Sequence, residues 1–360
     1  HVDLVSSMIS FREGTRKGEK EGPYDLIVGC DGANSIVRSA LEKYSPPNTF
    51  SFSQRKLLPG CFKVARVDAM PPLMDSDSVG LILPESKSLG ITAFVEPTVD
   101  GGACILFAGK LPNKDEGDSS SESDEKEADL GSFLFPSPDS KEENRTEADI
   151  ESVKNLIIEQ FPVLVDTPGI DDMVEQLLYQ RSSVADAVRC NVYHSNSDLT
   201  ATAICGDAAH ATGGVSGQGC NSALLDSATL ADCIIEHYQP TDASADNIQT
   251  TKKTMLHRSV SSYSQKAVPE GRALYDLSFG NDGKTLPIFR NIRAILSNAI
   301  DSIFGGRFGI GKKPLQTLLA SSSSPFVDIR RDREKYYVEG FPSDQQLRDE
   351  LDQVYKRGIE

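Results

Sequence analysis

Residues 200–236 read TATAICGDAAHATGGVSGQGCNSALLDSATLADCIIE. An apolar, β-prone run, Thr200 to Cys205, stops at Gly206-Asp207. Five glycines (Gly206, Gly213, Gly214, Gly217 and Gly219) then fall within fourteen residues, and a helix is predicted from about Asn221 to Tyr238. Glycines at this density let the backbone approach a flat or phosphorylated ligand closely. The amides of Gly217, Gln218, Gly219 and Cys220 would point outward from the helix N-terminus, where the macrodipole favours negative charge. Asp207, at the C-terminal end of a strand, is placed to accept hydrogen bonds from the hydroxyls of a ribose or ribitol. Asn221 offers both a donor and an acceptor to a polar ring edge. Leu224, Ala228, Ala231 and Ile235 recur on one face of the helix. Ser216 in GVSGQG is no nucleophile elbow, because Gln218 stands where that motif needs glycine.

A second segment has the same grammar. Residues 24–41, YDLIVGCDGANSIVRSAL, run as a buried strand into Asp31-Gly32, and Asn34 and Ser35 are helix-capping types ahead of a short helix over Ile36 to Tyr44. Upstream, 2–11 reads as a strand and 12–22 as a charged turn. Between the two segments, runs at 61–67, 78–83, 90–96 and 102–109 predict an antiparallel sheet. A capping box at Thr146–Asp149 opens a helix over 148–160 with Ile150, Val153, Ile157 and Phe161 on one face. A second helix is predicted over 168–179 with Pro168 in its first turn, and 183–193 returns to strand character. Beyond 250 the chain reads as helical. Ile288, Ile292, Ile295, Ala299 and Ile303 form a stripe, read either as core packing or, with Arg290 and Arg293 alongside, as a helix over 284–304 lying on a membrane surface. Ser343 to Gln346 caps a last helix.

Composition narrows the classes. Of 360 residues 38% are hydrophobic, enough for a buried core, and the net charge of −16 disfavours a phosphate-backbone partner, so no nucleic acid is expected. Residues 113–147 hold twelve Asp/Glu against four Lys/Arg, a net of −8, half of the total. With seven serines and little apolar content, 112–147 is expected to be a disordered insert in a hairpin loop. Seven cysteines without a CxxC predict reduced thiols in an intracellular protein, cytoplasmic or associated with an organelle membrane. No cysteine stands at metal-ligand spacing to a histidine, so no metal is expected, and no Ser/His/Asp triad can be assembled. The chain starts at His1, so a targeting signal cannot be read.

Taken together, the 24–41 and 200–236 segments resemble, in order and separation, the DG and GD motifs of the flavoprotein aromatic hydroxylases. IVGCDGANSIVRSAL (27–41), FSFSQRKLLPGCFKV (50–64), AVRCNVY (187–193), GDAAHA (206–211) and YSQKAVPEGRALYDLS (263–278) are similar to the kynurenine 3-monooxygenase branch of that family, over roughly residues 20–70 and 180–330. The resemblance implies FAD as cofactor, NAD(P)H as cosubstrate and a small aromatic substrate hydroxylated with dioxygen. It implies that Asp31 and Gly32 lie near the FAD pyrophosphate, with Arg38 holding that corner. It further implies that Gly206 and Asp207 meet the ribityl chain, that Gly217, Gln218, Gly219, Cys220 and Asn221 follow the pyrimidine edge of the ring, and that Asn281 contacts substrate. The family's usual proline between the His and the GQG is Gly214 here, a family substrate-contacting tyrosine falls on Gln316, and the sheet at 79–109 departs from the family's substrate-facing pattern. Two other readings share these motifs: a flavin-dependent reductase of the same superfamily, and a truncated, non-catalytic relative.

The expected fold class is α/β. It comprises a mixed-sheet FAD-binding domain shared between 1–45 and 195–240, an antiparallel substrate sheet over 46–194, and a C-terminal helical region over 241–360. No G-x-G-x-x-G follows an N-terminal strand, so the FAD domain is expected to be incomplete, and residues 1–43 read as its last parts. Oligomeric state is not encoded in any of these patterns.

Overall fold

The computed structural model describes residues 1–12, 14–56, 60–86, 89–110, 130, 134–135, 147–214, 217–238, 245–279, 318–319 and 324–333. In chain order its strands are β1 (Val2–Asp3), β2 (Met8–Ser10), β3 (Lys20–Glu21), β4 (Leu26–Gly29), β5 (Phe52–Lys56), β6 (Gly60–Val67), β7 (Gly80–Ile82), β8 (Thr92–Pro97), β9 (Ala103–Lys110), β10 (Asp186–Cys190) and β11 (Ala201–Ile204). Its helices are α1 (Ile36–Tyr44), α2 (Glu147–Gln160), α3 (Ile170–Tyr179), α4 (Asp207–His210), α5 (Gly219–His237), α6 (Ala245–Phe279) and α7 (Phe326–Arg333). The fold is α/β. Two compact units divide it, one of residues 1–55 with 186–360, the other of residues 56–185.

In the first unit β4 and β11 pair in parallel, Leu26 opposite Ala201 and Gly29 opposite Ile204. Every residue of β11 is buried, as expected of a parallel strand covered on both faces. Its small Ala201 and Ala203 leave room for the helices: Val37 and Leu41 of α1, Leu230 and Cys233 of α5, and Val260 and Tyr263 of α6 share one core with Ile27 and Ile204. Tyr263 Oη meets its need for a partner by donating to the Ile204 carbonyl at 2.9 Å. Strands β5 and β10 pair with each other, and this pairing gathers residues 46–55 and 186–194 into the first unit. The region read as one strand over 2–11 is instead a hairpin, with Val2 opposite Ile9. Asp3 Oδ1 accepts from the amides of Val5 and Ser6, and Ser7 turns through a φ of 61°, so local turn chemistry overrides the apolar run.

The second unit is a four-stranded antiparallel sheet in the order β6-β9-β8-β7, with Cys61 opposite Gly109 and Thr92 opposite Ala108. Ala65, Val67, Ala93, Val95, Ile105 and Phe107 point to one buried side, where Val153, Ile157 and Phe161 and, from α3, Met173, Val174 and Leu177 pack. The period-2 alternation in the strands and the 3.6 period in the helices meet there. Pro168 lies ahead of α3 rather than in its first turn, because Gly169 takes the cap position with φ 80°. The acidic insert is corrected in part. Leu130, Leu134 and Phe135 are fully buried in this core, and the Phe135 ring fills the space beside Gly109. An average over 112–147 hides three apolar residues that are enough to anchor a segment. Residues 112–129, 131–133 and 136–146 of that insert lie outside the described residues.

No helix among the described residues is long and apolar enough to cross a membrane. The stripe at 288–303 and the cap at 343–346 lie outside the described residues.

Candidate flavin site

Because β4 and β11 run parallel and in register, the two Gly/Asp turns leave neighbouring strand ends. The Cys205 amide donates to the Gly29 carbonyl at 3.0 Å, so Cys30-Asp31-Gly32 and Cys205-Gly206-Asp207 diverge from one point. This is the C-terminal edge of a parallel pair, where open α/β sheets bind ligands. All ten residues expected at a cofactor belong to this one unit. Asn281 and Gln316 lie outside the described residues, as does Ser216.

Asp31 is exposed, but its carboxylate is already engaged: Oδ2 accepts from the amides of Ile36 at 2.6 Å and Val37 at 3.2 Å. Ser35 Oγ accepts from the Arg38 amide at 2.9 Å. Two acceptors thus close the first turn of α1, a carboxylate at the positive end of a helix. Gly32 adopts φ 77° with open space where a side chain would begin.

Arg38 is buried, 1% exposed. Its guanidinium donates to the Ala208 carbonyl at 2.8 Å, the Ala33 carbonyl at 2.5 Å and Gln54 Oε1 at 2.7 Å, and it lies over the Phe52 ring at 4.7 Å. It therefore ties the turn after β4, the turn after β11 and strand β5 together from beneath. Gln54 extends the tie to Asn34 at 3.1 Å. The fork presents donors from two nitrogens to all three acceptors in a fixed geometry that an ammonium lacks. Arg38 thus holds the two turns and β5 to one another.

Gly206 has φ 59° and ψ −138°, and a Cβ there would stand 2.8 Å from the Ala223 Cβ of α5. Asp207 follows as an exposed residue at the start of α4. Its Oδ1 lies 3.9 Å from where a Cβ on Gly219 would be, so the carboxylate faces the start of α5. That helix begins at Gly219, two residues before the expected start. Gln218 at the cap makes no side-chain cap bond, and the first turn holds no acidic residue. The Gln218 side chain is buried and accepts from Asn221 Nδ2 at 3.0 Å. Gly217, Cys220 and Asn221 are exposed. Gly214 and Gly217 take φ 79° and 67° beside open space. Proline cannot adopt that φ, so the loop here follows a different backbone path from one with proline at 214.

Beneath the turn lie His210, whose place in GDAAH reads as that of a packing or hydrogen-bonding residue, and Asp226, which the sequence reading did not single out. Asp226 Oδ2 accepts from the Gly206 amide at 2.8 Å and meets His210 Nε2 at 2.6 Å. His210 stacks near Tyr193, with ring centroids 5.6 Å apart. Burial disfavours the imidazolium, but the bond to Asp226 and its charge, with Asp207 adding, outweigh it and raise the His210 pKa. A raised folded value stabilises fully below the unfolded pKa near ~6.5, and this stability is lost as pH rises through the folded value. NMR titration of the His210 ring should accordingly give a midpoint above about 6.5, and Asp226→Asn should lower it; an unchanged midpoint in the variant would contradict the pairing. The legible signal for Asp226 was a lone acid on the stripe Ser222, Asp226, Leu230 and Cys233, which is the buried face of α5. The face marked by Leu224 and Ile235 is exposed, at 64% and 69%.

No family model matches the chain. It is 25% identical over 331 residues to a kynurenine 3-monooxygenase of Flavobacterium psychrophilum, covering 91% of this chain and 62% of that protein. It is 28% identical over 216 residues to a violacein synthase of Chromobacterium violaceum, covering 59% of this chain and 42% of that protein. Among solved structures, a probable FAD-dependent monooxygenase, pqsL of Pseudomonas aeruginosa, aligns over 73% of this chain and 58% of its own at 18% identity and a TM-score of 0.39. HpxO of Klebsiella pneumoniae, complexed with FAD and uric acid, aligns over 94% and 61% at 14% identity and a TM-score of 0.40. The motifs, their convergence on one strand edge and the sequence matches together make this chain similar to FAD-dependent aromatic hydroxylases. The similarity to the kynurenine 3-monooxygenase covers nine-tenths of this chain, which spans about three-fifths of the length of that relative.

Proposed function

We propose that the chain forms part of a monooxygenase that binds FAD and uses NAD(P)H and dioxygen to hydroxylate a small aromatic substrate. The carrying observation is the parallel register of β4 and β11, which delivers both Gly/Asp turns to one edge. The residues present fit a flavin. Gly32, Gly214 and Gly217 leave open space where side chains would begin. Asp207 presents a carboxylate for ribityl hydroxyls, and the start of α5 presents amides without a capping side chain or acid.

When bound, FAD supplies hydride acceptance and oxygen activation. The chain's own residues bind and orient. Asp207 accepts hydrogen bonds from the ribityl chain. Gly217 to Asn221 line the pyrimidine edge of the ring, and the α5 dipole favours negative charge there. Asp31 and Gly32 bound the pyrophosphate side, and Arg38 holds both turns in place. Asn281 is the proposed substrate contact, carried by resemblance alone, and kynurenine-like anthranilic ketones are the first substrates to try. The boundaries of a FAD-binding and a substrate domain follow the same reading.

The test is purification of the full-length protein. Bound FAD, oxidation of NAD(P)H stimulated by a small aromatic compound, and one labelled oxygen atom from dioxygen in the product are expected. Colourless protein that does not take up FAD on reconstitution would refute the proposal. NAD(P)H oxidation that yields a reduced product without labelled oxygen would assign the reductase reading instead.

A further inference from the structure

We infer that Asp226 is the residue that sets the Asp207 carboxylate against the start of α5, acting through the turn backbone and His210. The inference rests on the flavin reading of that turn and deepens it. Asp226 is 5% exposed, on the buried face of α5, one turn past Ser222. One of its oxygens serves two donors, the Gly206 amide at 2.8 Å and His210 Nε2 at 2.6 Å. These donors bracket Asp207: one immediately precedes it, the other ends the short helix that it begins. Asp226 thereby pins both sides of Asp207 to the helix whose N-terminus Asp207 faces.

The fit is close from every direction. Ala223, three residues before Asp226, stands where a Gly206 side chain would be. Behind His210, a Cβ on Gly271 of α6 would lie 2.9 Å from its Cδ2 and 2.1 Å from Tyr193 Oη. His210 therefore has α6 at its back and Asp226 in front, and the turn has little freedom to move relative to α5. A carboxylate suits this task. Its one oxygen accepts both bonds with charge assistance, whereas an asparagine oxygen in the same place is an uncharged and weaker acceptor. Asp226 touches no ligand and is a positioning residue.

The experiment uses the full-length protein and reads FAD dissociation constants by flavin-fluorescence quenching, with circular dichroism confirming folded protein. Asp226→Asn, Asp207→Asn and the double variant form a cycle. Each single change should weaken FAD by about tenfold, the scale of one charged hydrogen bond. The double variant should bind no more than about twofold more weakly than Asp207→Asn alone, because Asp226 acts through Asp207. His210→Leu should also weaken FAD, and His210→Gln, which keeps a donor toward Asp226, should recover most of the loss; this arm decides the matter if Asp226→Asn does not fold. A wild-type affinity in Asp226→Asn, or effects that multiply in the double variant, overturns the inference while leaving the flavin reading intact. A wild-type protein that does not bind FAD overturns both.

Discussion

Arg38→Met is expected to lower the stability of the first unit by about 3 kcal/mol, one of the two largest effects of a single side chain in this protein. The replacement is close in length and apolar, so it keeps packing against Phe52 while removing every donor. The Ala208 and Ala33 carbonyls and Gln54 Oε1 then lose the partner that joins them; the buried Ala208 acceptor left unsatisfied costs about 1–3 kcal/mol, and the part-buried bonds to Ala33 and the exposed Gln54 each add less. The sum is reduced because the guanidinium is itself costly to bury; desolvation lowers its pKa from the ordinary value. Arg38→Lys should fall between, since an ammonium retains the charge but replaces the guanidinium's fixed fork of donors with a single point on the side chain. Urea unfolding followed by far-ultraviolet circular dichroism measures both. A Met variant within about 1 kcal/mol of wild type would show that the two turns hold together without the clamp.

Gly206→Ala should cost about 3 kcal/mol as well, for a different reason. A φ of 59° with ψ −138° lies where an L side chain is strained by about 1–3 kcal/mol. The new methyl would also stand 2.8 Å from the Ala223 Cβ, adding the cost of overpacking. Because the Gly206 amide is one of the two donors to Asp226, relief of strain by moving the turn breaks that bond. Ala223→Gly in the same background separates the components: it removes the contact and leaves the backbone strain. A Gly206→Ala protein with the wild-type unfolding midpoint would mean that the turn adopts another conformation in solution.

Much of this architecture was legible from local patterns. The helix over Ile36 to Tyr44 matches α1 at both ends, because a capping serine and an apolar stripe act over a few residues. The four antiparallel strands followed from alternation. Where averaging replaced inspection the reading failed: Leu130, Leu134 and Phe135 vanish in a count dominated by acids, yet burial is decided residue by residue. The 2–11 region failed because a turn of four residues outweighed the pattern around it.

Sequence by itself determined that two strands end in Gly/Asp turns, that glycine lines the second, and that a helix starts beyond it; these are properties of short windows governed by backbone freedom and capping. Tertiary structure alone decided that the two turns are neighbours, that Arg38 reaches three protein acceptors from a buried position, and that Asp226 reaches back to Gly206 and His210. Those facts depend on parallel register and on which face of α5 is covered, and both are set by packing between segments far apart in the chain, about which no local window carries information.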